Sequence, residues 1–319
     1  MFSAGMRATA STTKDMEAPV FVIVNASARS DGAAQVASDL GKYFEAAGIR
    51  IEVKLAKTGK NIIEEVTAAI LSKPRMIVVG GGDGTLNAAA TLMVEKGIAL
   101  GVLPLGTLNH FAKDLHVPLD LEHAVTTIAE GHVAQVDVGA VNDRIFLNNA
   151  SLGIYPQLVQ TRELQQQWLG RGKWPAFAWA ALAVLRRYPF VEVLLNIDGK
   201  SLARRTPFVF VGNNRYEMEG FRIGERTRLD GGELSLYVAN RTGRMGLFRL
   251  ALRALFGRLD QAADFDTVCA KHIEVKTRRG RVHIATDGEI CVMETPLRFR
   301  VVPGALKVIV PRPEPAASE

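Results

Sequence analysis

The chain has 319 residues, of which 48% are hydrophobic, 23% charged and 7% aromatic, with a formal net charge of +6 and a pI near 9.4. That composition is ordinary for a globular protein and excludes a wholly disordered chain, a collagen-like repeat and a disulfide-stapled mini-protein. The basic balance suits an anionic partner, yet there is no run of five or six basic residues and no zinc-finger spacing, which argues against a nucleic-acid partner.

The first 18 residues lack the apolar core of a standard secretory signal and are expected to be a loose tail. Val20 to Asn25 (VFVIVN) is almost continuously apolar, as a strand buried on both faces is. A polar loop leads to an expected helix over Ala33 to Ala47, with Val36, Leu40 and Phe44 at four-residue spacing and Gly48 as its stop. Ile49 to Leu55 is expected as a second strand, Asn61 to Ser72 as a second helix and Arg75 to Val79 as a third strand. The third strand runs directly into GGGDGTLN, a helix follows through Val94, and Ala99 to Pro104 is a fourth strand. Strand and helix thus alternate as in a doubly wound parallel sheet, whose ligands lie beyond the carboxyl ends of the strands. The three polar loops Asn25 to Ser30, Gly80 to Asn87 and Gly106 to Asn109 all fall at those ends.

After about Gly131 the pattern changes to short apolar strands. They are expected at Gln135 to Ala140, Arg144 to Ala150, Val191 to Ile197, Phe208 to Gly212, Glu233 to Ala239, His272 to Lys276, Val282 to Thr286, Leu297 to Val302 and Ala305 to Val310. Turn signals such as the PG at 303–304 separate them, and the set suits a β-sandwich. Helices are expected near Trp174 to Arg187 and Gly243 to Arg258. The domain division is therefore a tail over 1–18, an α/β domain over 19–133, a β-sandwich domain over 134–311 and a tail over 312–319. The longest apolar run, Ala176 to Leu185, has ten residues and is too short to span a bilayer as a helix. Cys269 and Cys291 do not make a disulfide framework and suit a reducing, cytoplasmic setting.

In Gly80-Gly81-Gly82-Asp83-Gly84-Thr85-Leu86-Asn87, four glycines within five positions let backbone N–H groups approach a ligand, and the helix start that follows favours phosphate oxygens. Thr85 offers a hydroxyl and Asn87 an amide. Asp83 fits either a metal-bound water or a network that orders the loop; a glycine-rich turn ending in a helix cap is the plainer alternative. The string has neither the lysine of a Walker A loop nor the G-x-G-x-x-G spacing. Pro104-Leu105-Gly106-Thr107-Leu108-Asn109-His110-Phe111-Ala112 ends the next strand, so Thr107 and Asn109 can face the same crevice.

GGGDGTLN followed by PLGTLNHFA resembles the diacylglycerol kinase catalytic domain, and more closely the bacterial soluble lipid kinases that act on diacylglycerol, phosphatidylglycerol or sphingoid lipids. Asn25-Ala26-Ser27-Ala28-Arg29 sits at the family's first nucleotide loop, Val211 to Asn214 and Arg228 to Leu234 match two further landmarks, and Asp287-Gly288-Glu289 matches its C-terminal DGE. The resemblance implies an ATP site formed by Asn25 to Arg29, Gly81 to Asn87, Thr107 and Asn109, with Mg²⁺ as cofactor and a lipid cleft between the domains. It implies Glu289 as general base with Asp287 beside it, although DGE also suits a plain hairpin. The chain departs from the family pattern at Ala26 and Ala28, at His110 where many relatives have aspartate, and at Gly231, leaving Asp230 as the candidate metal ligand.

The expected function is transfer of the γ-phosphate of ATP to a lipid hydroxyl. The alternatives are an NAD kinase-like enzyme and a non-catalytic nucleotide- or lipid-binding regulator. A lipid substrate implies contact with the inner face of the membrane. Gly243 to Arg258 (GRMGLFRLALRALFGR) places Arg249 and Arg253 side by side opposite an apolar arc, as an interfacial helix would.

Overall fold

Apolar strands covered on both faces need helices on each side, and the N-terminal half of the computed structural model has that layering. The structure describes residues 20–28, 32–153, 190–219, 222–226, 228–239 and 265–312. The tail over 1–18, Arg29 and the expected helices near Trp174 to Arg187 and Gly243 to Arg258 lie outside the described residues.

β1 (Val20–Asn25) is followed by a short 3-10 turn (Ala26–Ala28), α1 (Ala33–Ala46), β2 (Ile51–Ala56), α2 (Gly59–Leu71), β3 (Met76–Gly81), α3 (Asp83–Met93) and β4 (Ala99–Pro104). The strands pair in parallel in the order β2-β1-β3-β4, and every residue of β3 and β4 is buried. Val36, Leu40 and Phe44 bring the apolar stripe of α1 into this core. Thr58 caps α2 by accepting from the N–H of Asn61 at 3.2 Å. Two helices are additional to those expected: α4 (His110–Asp114), which begins inside the second loop motif, and α5 (Leu121–Glu130). Asp120 caps α5 by accepting from the N–H of His123 at 2.9 Å.

The second half runs β5 (His132–Val141), β6 (Arg144–Phe146), β7 (Asn149–Gly153), β8 (Val191–Ile197), β9 (Lys200–Thr206), β10 (Phe208–Asn213), β11 (Tyr216–Glu219), β12 (Arg222–Arg226), β13 (Leu234–Ala239), β14 (Phe265–Ala270), β15 (His272–Thr277), β16 (Arg281–Thr286), β17 (Glu289–Glu294) and β18 (Leu297–Val310). Strands β14-β13-β10-β7-β16-β17 form one antiparallel sheet. Its inner face, including Leu152, Val211 and Leu236, packs on Leu195, Val275 and Phe299 of the sheet made by β9, β8, β15 and β18. This is the expected sandwich.

Two expected strand boundaries are corrected. Leu297 to Val302 and Ala305 to Val310 are one strand: β5 pairs with both halves of β18, and the PG at 303–304 is a bulge between Val302 and Leu306 rather than a turn. Conversely, Arg144 to Ala150 is two strands. The N–H groups of Leu147 and Asn148 leave the ladder to bind the carboxylate of Asp287. β9, β11, β12, β14 and β17 are also additional to the expected set. β9 (KSLARRT) is exposed at its first six positions, so its sequence carries no buried-strand pattern.

β18 is the join between the halves. Its early residues pair with β15, while Lys307 and Val308 pair in parallel with Ala99 and Leu100 of β4. A single ten-stranded sheet therefore extends from one half into the other.

Candidate active site

The glycine loops after β3 and β4 meet backbone to backbone. A Cβ built on Gly106 would lie 2.4 Å from the Cα of Gly82, and one on Gly81 would lie 2.6 Å from the Cβ of Thr85. These glycines are required by space: a methyl group at Gly106 forces a shift of the opposing loop, and one at Gly81 collides with the Thr85 side chain of its own loop. Asn25 closes the third side: its side-chain amide donates to the Thr85 hydroxyl at 2.9 Å, and its carbonyl oxygen accepts from the N–H and hydroxyl of Ser27 at 3.0 and 2.6 Å. α3 starts at Gly82 with no side-chain cap, so its first turn presents the positive end of the helix dipole to the crevice.

Asp83 orders the loops. Its carboxylate accepts from the N–H groups of His110 and Phe111 at 3.2 and 2.9 Å and so caps α4, which has no capping side chain of its own. Of the two roles expected for Asp83, this geometry fits the ordering network. Asn109 also turns inward. It is 5% exposed, in a left-handed conformation, and exchanges hydrogen bonds with the backbone N–H and C=O of Gly106, both at 2.9 Å. Its amide shapes the loop and is not offered to a ligand. Leu86 is fully buried in the N-terminal core, and its N–H is bonded to the carbonyl of Gly82 at 3.1 Å, so it shapes the loop from within. Thr107 and Ser27 are exposed at the rim, and Ala26 is partly exposed.

The opposite wall is the β16–β17 hairpin. Thr286 pairs with Glu289, leaving Asp287-Gly288 as a two-residue turn, with φ of 47° and 86° respectively. Positive φ at both positions is the hairpin geometry that an Asp-Gly pair favours. The hairpin that DGE suits is therefore present, with Asp287 in its turn and Glu289 as the first residue of β17. The carboxylate of Asp287 accepts from the N–H groups of Leu147, Asn148 and Asn149 at 2.7, 2.8 and 3.0 Å, and from the side-chain amide of Asn87 on α3. Burial pushes this carboxyl up to about 6, against the three backbone N–H groups that favour its charged form. With its oxygens taken up by four donors, Asp287, expected beside the base as a catalytic group, is a positioning group that anchors the hairpin to α3. Glu289 remains open. Its side chain is 60% exposed; Oε1 lies 3.3 Å from a Cβ built on Gly84, and Oε2 lies 3.5 Å from Nη2 of Arg144. An exposed carboxylate, paired on one oxygen with Arg144, thus sits over the glycine loop.

Behind the crevice is a residue that no sequence signal singled out. Arg226, 1% exposed, donates to Asp114 from Nε and Nη2 at 2.8 and 2.6 Å, to the carbonyls of Leu147 and Asn213 at 2.6 and 3.1 Å, and to Oδ1 of Asn148 at 2.9 Å. Tyr216 stacks on its guanidinium and donates to the carbonyl of Asn148 at 2.9 Å; burial pushes the Tyr216 hydroxyl well above its usual range. The contacts close a ring. Asp83 caps α4, Asp114 at the end of α4 holds Arg226, Arg226 holds the Leu147–Asn148 turn, that turn holds Asp287, and Asp287 holds Asn87 of α3.

Asp230, the candidate metal ligand, is exposed and paired with Arg228 at 3.1 Å, which holds its carboxyl below the usual range. Its loop is tied down by others: Asp137 accepts from the N–H of Gly232 at 2.6 Å, and Asn214 from that of Gly231 at 2.9 Å. A Cβ on Gly231 would lie 2.7 Å from that Asn214 oxygen, so glycine and Asn214 are matched. Among the described residues no three His, Cys, Asp or Glu side chains converge as metal ligands would. Asp230 and its surroundings do not fit a metal site built by the protein.

A parallel sheet with paired glycine loops at its carboxyl edge, faced by a sandwich hairpin carrying an exposed carboxylate, defines a protein with an α/β half and a β-sandwich half. The model of the diacylglycerol kinase catalytic domain matches residues 19–141, and that of the YegS C-terminal NAD kinase beta sandwich-like domain matches residues 159–310. Over residues 19–141 the chain is thus similar to the diacylglycerol kinase catalytic-domain family. It is 29% identical over 202 residues to a diacylglycerol kinase of Staphylococcus carnosus (strain TM300), covering 62% of this chain and 65% of the relative. It is 30% identical over 205 residues to that of Staphylococcus aureus (strain Newman), covering 61% and 64%. The matched stretch thus spans just under two thirds of these relatives. The crystal structure of a diacylglycerol kinase from Bacillus anthracis str. Sterne superposes with a TM-score of 0.69 at 23% identity, covering 92% of this chain and 96% of that one, and shows the same fold.

Proposed function

We propose that this chain is an ATP-dependent lipid kinase that transfers the γ-phosphate of ATP to the hydroxyl of diacylglycerol or a related lipid. The observation that carries the reading is the Glu289 carboxylate, exposed and poised over Gly84 at the start of α3. A lipid hydroxyl becomes an effective nucleophile when a positioned base accepts its proton, and phosphoryl transfer otherwise depends on holding and neutralising the phosphates. In this proposal the backbone of Gly81 to Asn87, the Thr85 hydroxyl and the first loop, Asn25 to Arg29 with Thr107 opposite, hold the nucleotide. Glu289 accepts the proton, while Asp287, Asp83 and Asn109 keep the walls in register. Mg²⁺ is proposed to arrive with the triphosphate as its counter-ion, and no step is assigned to it. The two-domain division at about residue 133 is kept in the same spirit: one side supplies the nucleotide loops, the other the base.

Among the described residues no helix is long and apolar enough to cross a membrane. A cytoplasmic enzyme that reaches the inner leaflet peripherally, through Gly243 to Arg258, completes the proposal. Labelled ATP offered with vesicles of diacylglycerol, sphingoid base or phosphatidylglycerol, and separately with NAD, tests it. Label is expected in a lipid, with kcat lowered about 10²–10⁴-fold in Glu289→Gln at unchanged ATP affinity. Label in NAD supports the NAD kinase-like alternative, and a Glu289→Gln variant with wild-type turnover removes that residue from the mechanism.

A further inference from the structure

Glu289 has two oxygens and two neighbours. Oε1 faces the glycine loop at Gly84, and Oε2 faces the guanidinium of Arg144 at 3.5 Å. Both side chains are well exposed, at 60% and 45%, so this pair is not a structural bridge; such pairs contribute about 0–1 kcal/mol. The backbone beneath Arg144 is held at both ends. Asn142, in the turn before it, exchanges backbone hydrogen bonds with Arg298 of β18 through its N–H and its side-chain oxygen, both at 2.9 Å. Leu147 and Asn148, just after β6, are held by Asp287. A fixed backbone thus carries a long cationic side chain to the mouth of the crevice, next to the carboxylate poised over the glycine loop.

Resting on the lipid kinase reading above, we propose that Arg144 is a catalytic residue that binds the γ-phosphate of ATP. With no nucleotide bound, its guanidinium rests on Glu289. With ATP in the crevice, the phosphate offers a more highly charged acceptor with bidentate geometry within reach of the same side chain. The move from carboxylate to phosphate does two things. It neutralises charge on the group being transferred, and it frees Glu289 to accept the lipid proton. In the transfer, the lipid hydroxyl oxygen forms the new bond to the γ-phosphorus. The bond from that phosphorus to the β,γ-bridging oxygen breaks, ADP leaves with the electron pair, and the hydroxyl proton passes to Glu289.

The test compares ATP with ADP, because only ATP carries the phosphate that Arg144 would hold. Calorimetric titration of the full chain should show Arg144→Ala weakening ATP binding about 10-fold or more while ADP binding changes by less than about twofold. The kcat on diacylglycerol vesicles should fall about 10²–10³-fold. Arg144→Lys, which keeps the charge and loses the fork, should retain most of the preference for ATP and recover only part of kcat. Equal losses for ATP and ADP, or no loss for either, overturn the proposal. So does full recovery of ATP affinity in the double variant Arg144→Ala with Glu289→Gln, since Arg144 would then only screen the carboxylate. A wild-type chain that binds both nucleotides but phosphorylates no lipid overturns the lipid kinase reading while leaving the nucleotide contrast measurable. A wild-type chain that binds neither nucleotide overturns both.

Discussion

The two walls of the crevice are built by different means. The N-terminal wall is backbone: Gly82 and Gly106 touch because neither has a side chain, and the first turn of α3 is presented bare. The opposite wall is side chain: the hairpin bearing Glu289 stays in place because Asp287 collects four donors, three of them from a turn that Arg226 grips from behind. A wall made of close backbone contacts fails sterically, by addition of atoms. A wall made of polar contacts fails by removal of a partner, and it fails harder when the partner is buried.

That contrast sets the order of the expected effects. Arg226→Met removes the guanidinium from a buried carboxylate, an amide and two carbonyls and leaves the Asp114 charge without its counter-ion, so thermal and denaturant unfolding should show a loss of about 3–5 kcal/mol. A loss below about 1 kcal/mol would mean that the ring is not what secures the hairpin. Gly84→Ala adds one methyl group against the movable end of Glu289, so the fold should be retained while kcat drops on the order of 10²-fold through displacement of the proposed base. Unchanged turnover in that variant would separate Glu289 from the loop. Gly106→Ala drives a methyl group into the backbone of Gly82, and overpacking of this kind costs about 1–3 kcal/mol together with nucleotide affinity. Asp83→Ala uncaps α4 and should cost about 0.5–2 kcal/mol, read as a lower melting temperature. Arg281→Ala breaks an exposed 2.9 Å bridge to Glu294 on the same hairpin and should shift stability by less than about 0.5 kcal/mol, which makes it the control for the buried network.

The walls also differ in how legible they are from sequence. β1 and β4 match their expected limits, because a continuous apolar run between polar or turn-forming residues identifies a doubly covered strand locally. The glycine loops are visible for the same reason: their chemistry is contained in eight or nine consecutive residues. The hairpin wall depends on pairs such as Asp114 with Arg226 and Asn87 with Asp287, each separated by more than a hundred residues. Arg226, the second arginine of RIGER, has no periodicity around it that distinguishes it from a solvated one. The direction of a side chain is hidden in the same way. Asn109 looks available in GTLN, but its left-handed conformation turns the amide onto its own loop. PG at 303–304 looks like a turn, but β5 is long enough to pair on both sides of it.

β18 has a consequence for how the chain reaches this state. Before it arrives, β4 has β3 on one side and bare backbone on the other, and β5 lacks the partner it pairs with from His132 to Val141. The N-terminal α/β half is encoded almost entirely before residue 140, yet its sheet is completed by residues 297–310. Long-range pairing of this kind slows folding and leaves strand edges exposed in the meantime. On a ribosome, the first 130 residues would emerge as a sheet with an open seam and wait for nearly the whole sandwich to be synthesised before it is closed. While the residues between β5 and β18 are being synthesised, that open edge of β4 is therefore available to pair with other chains.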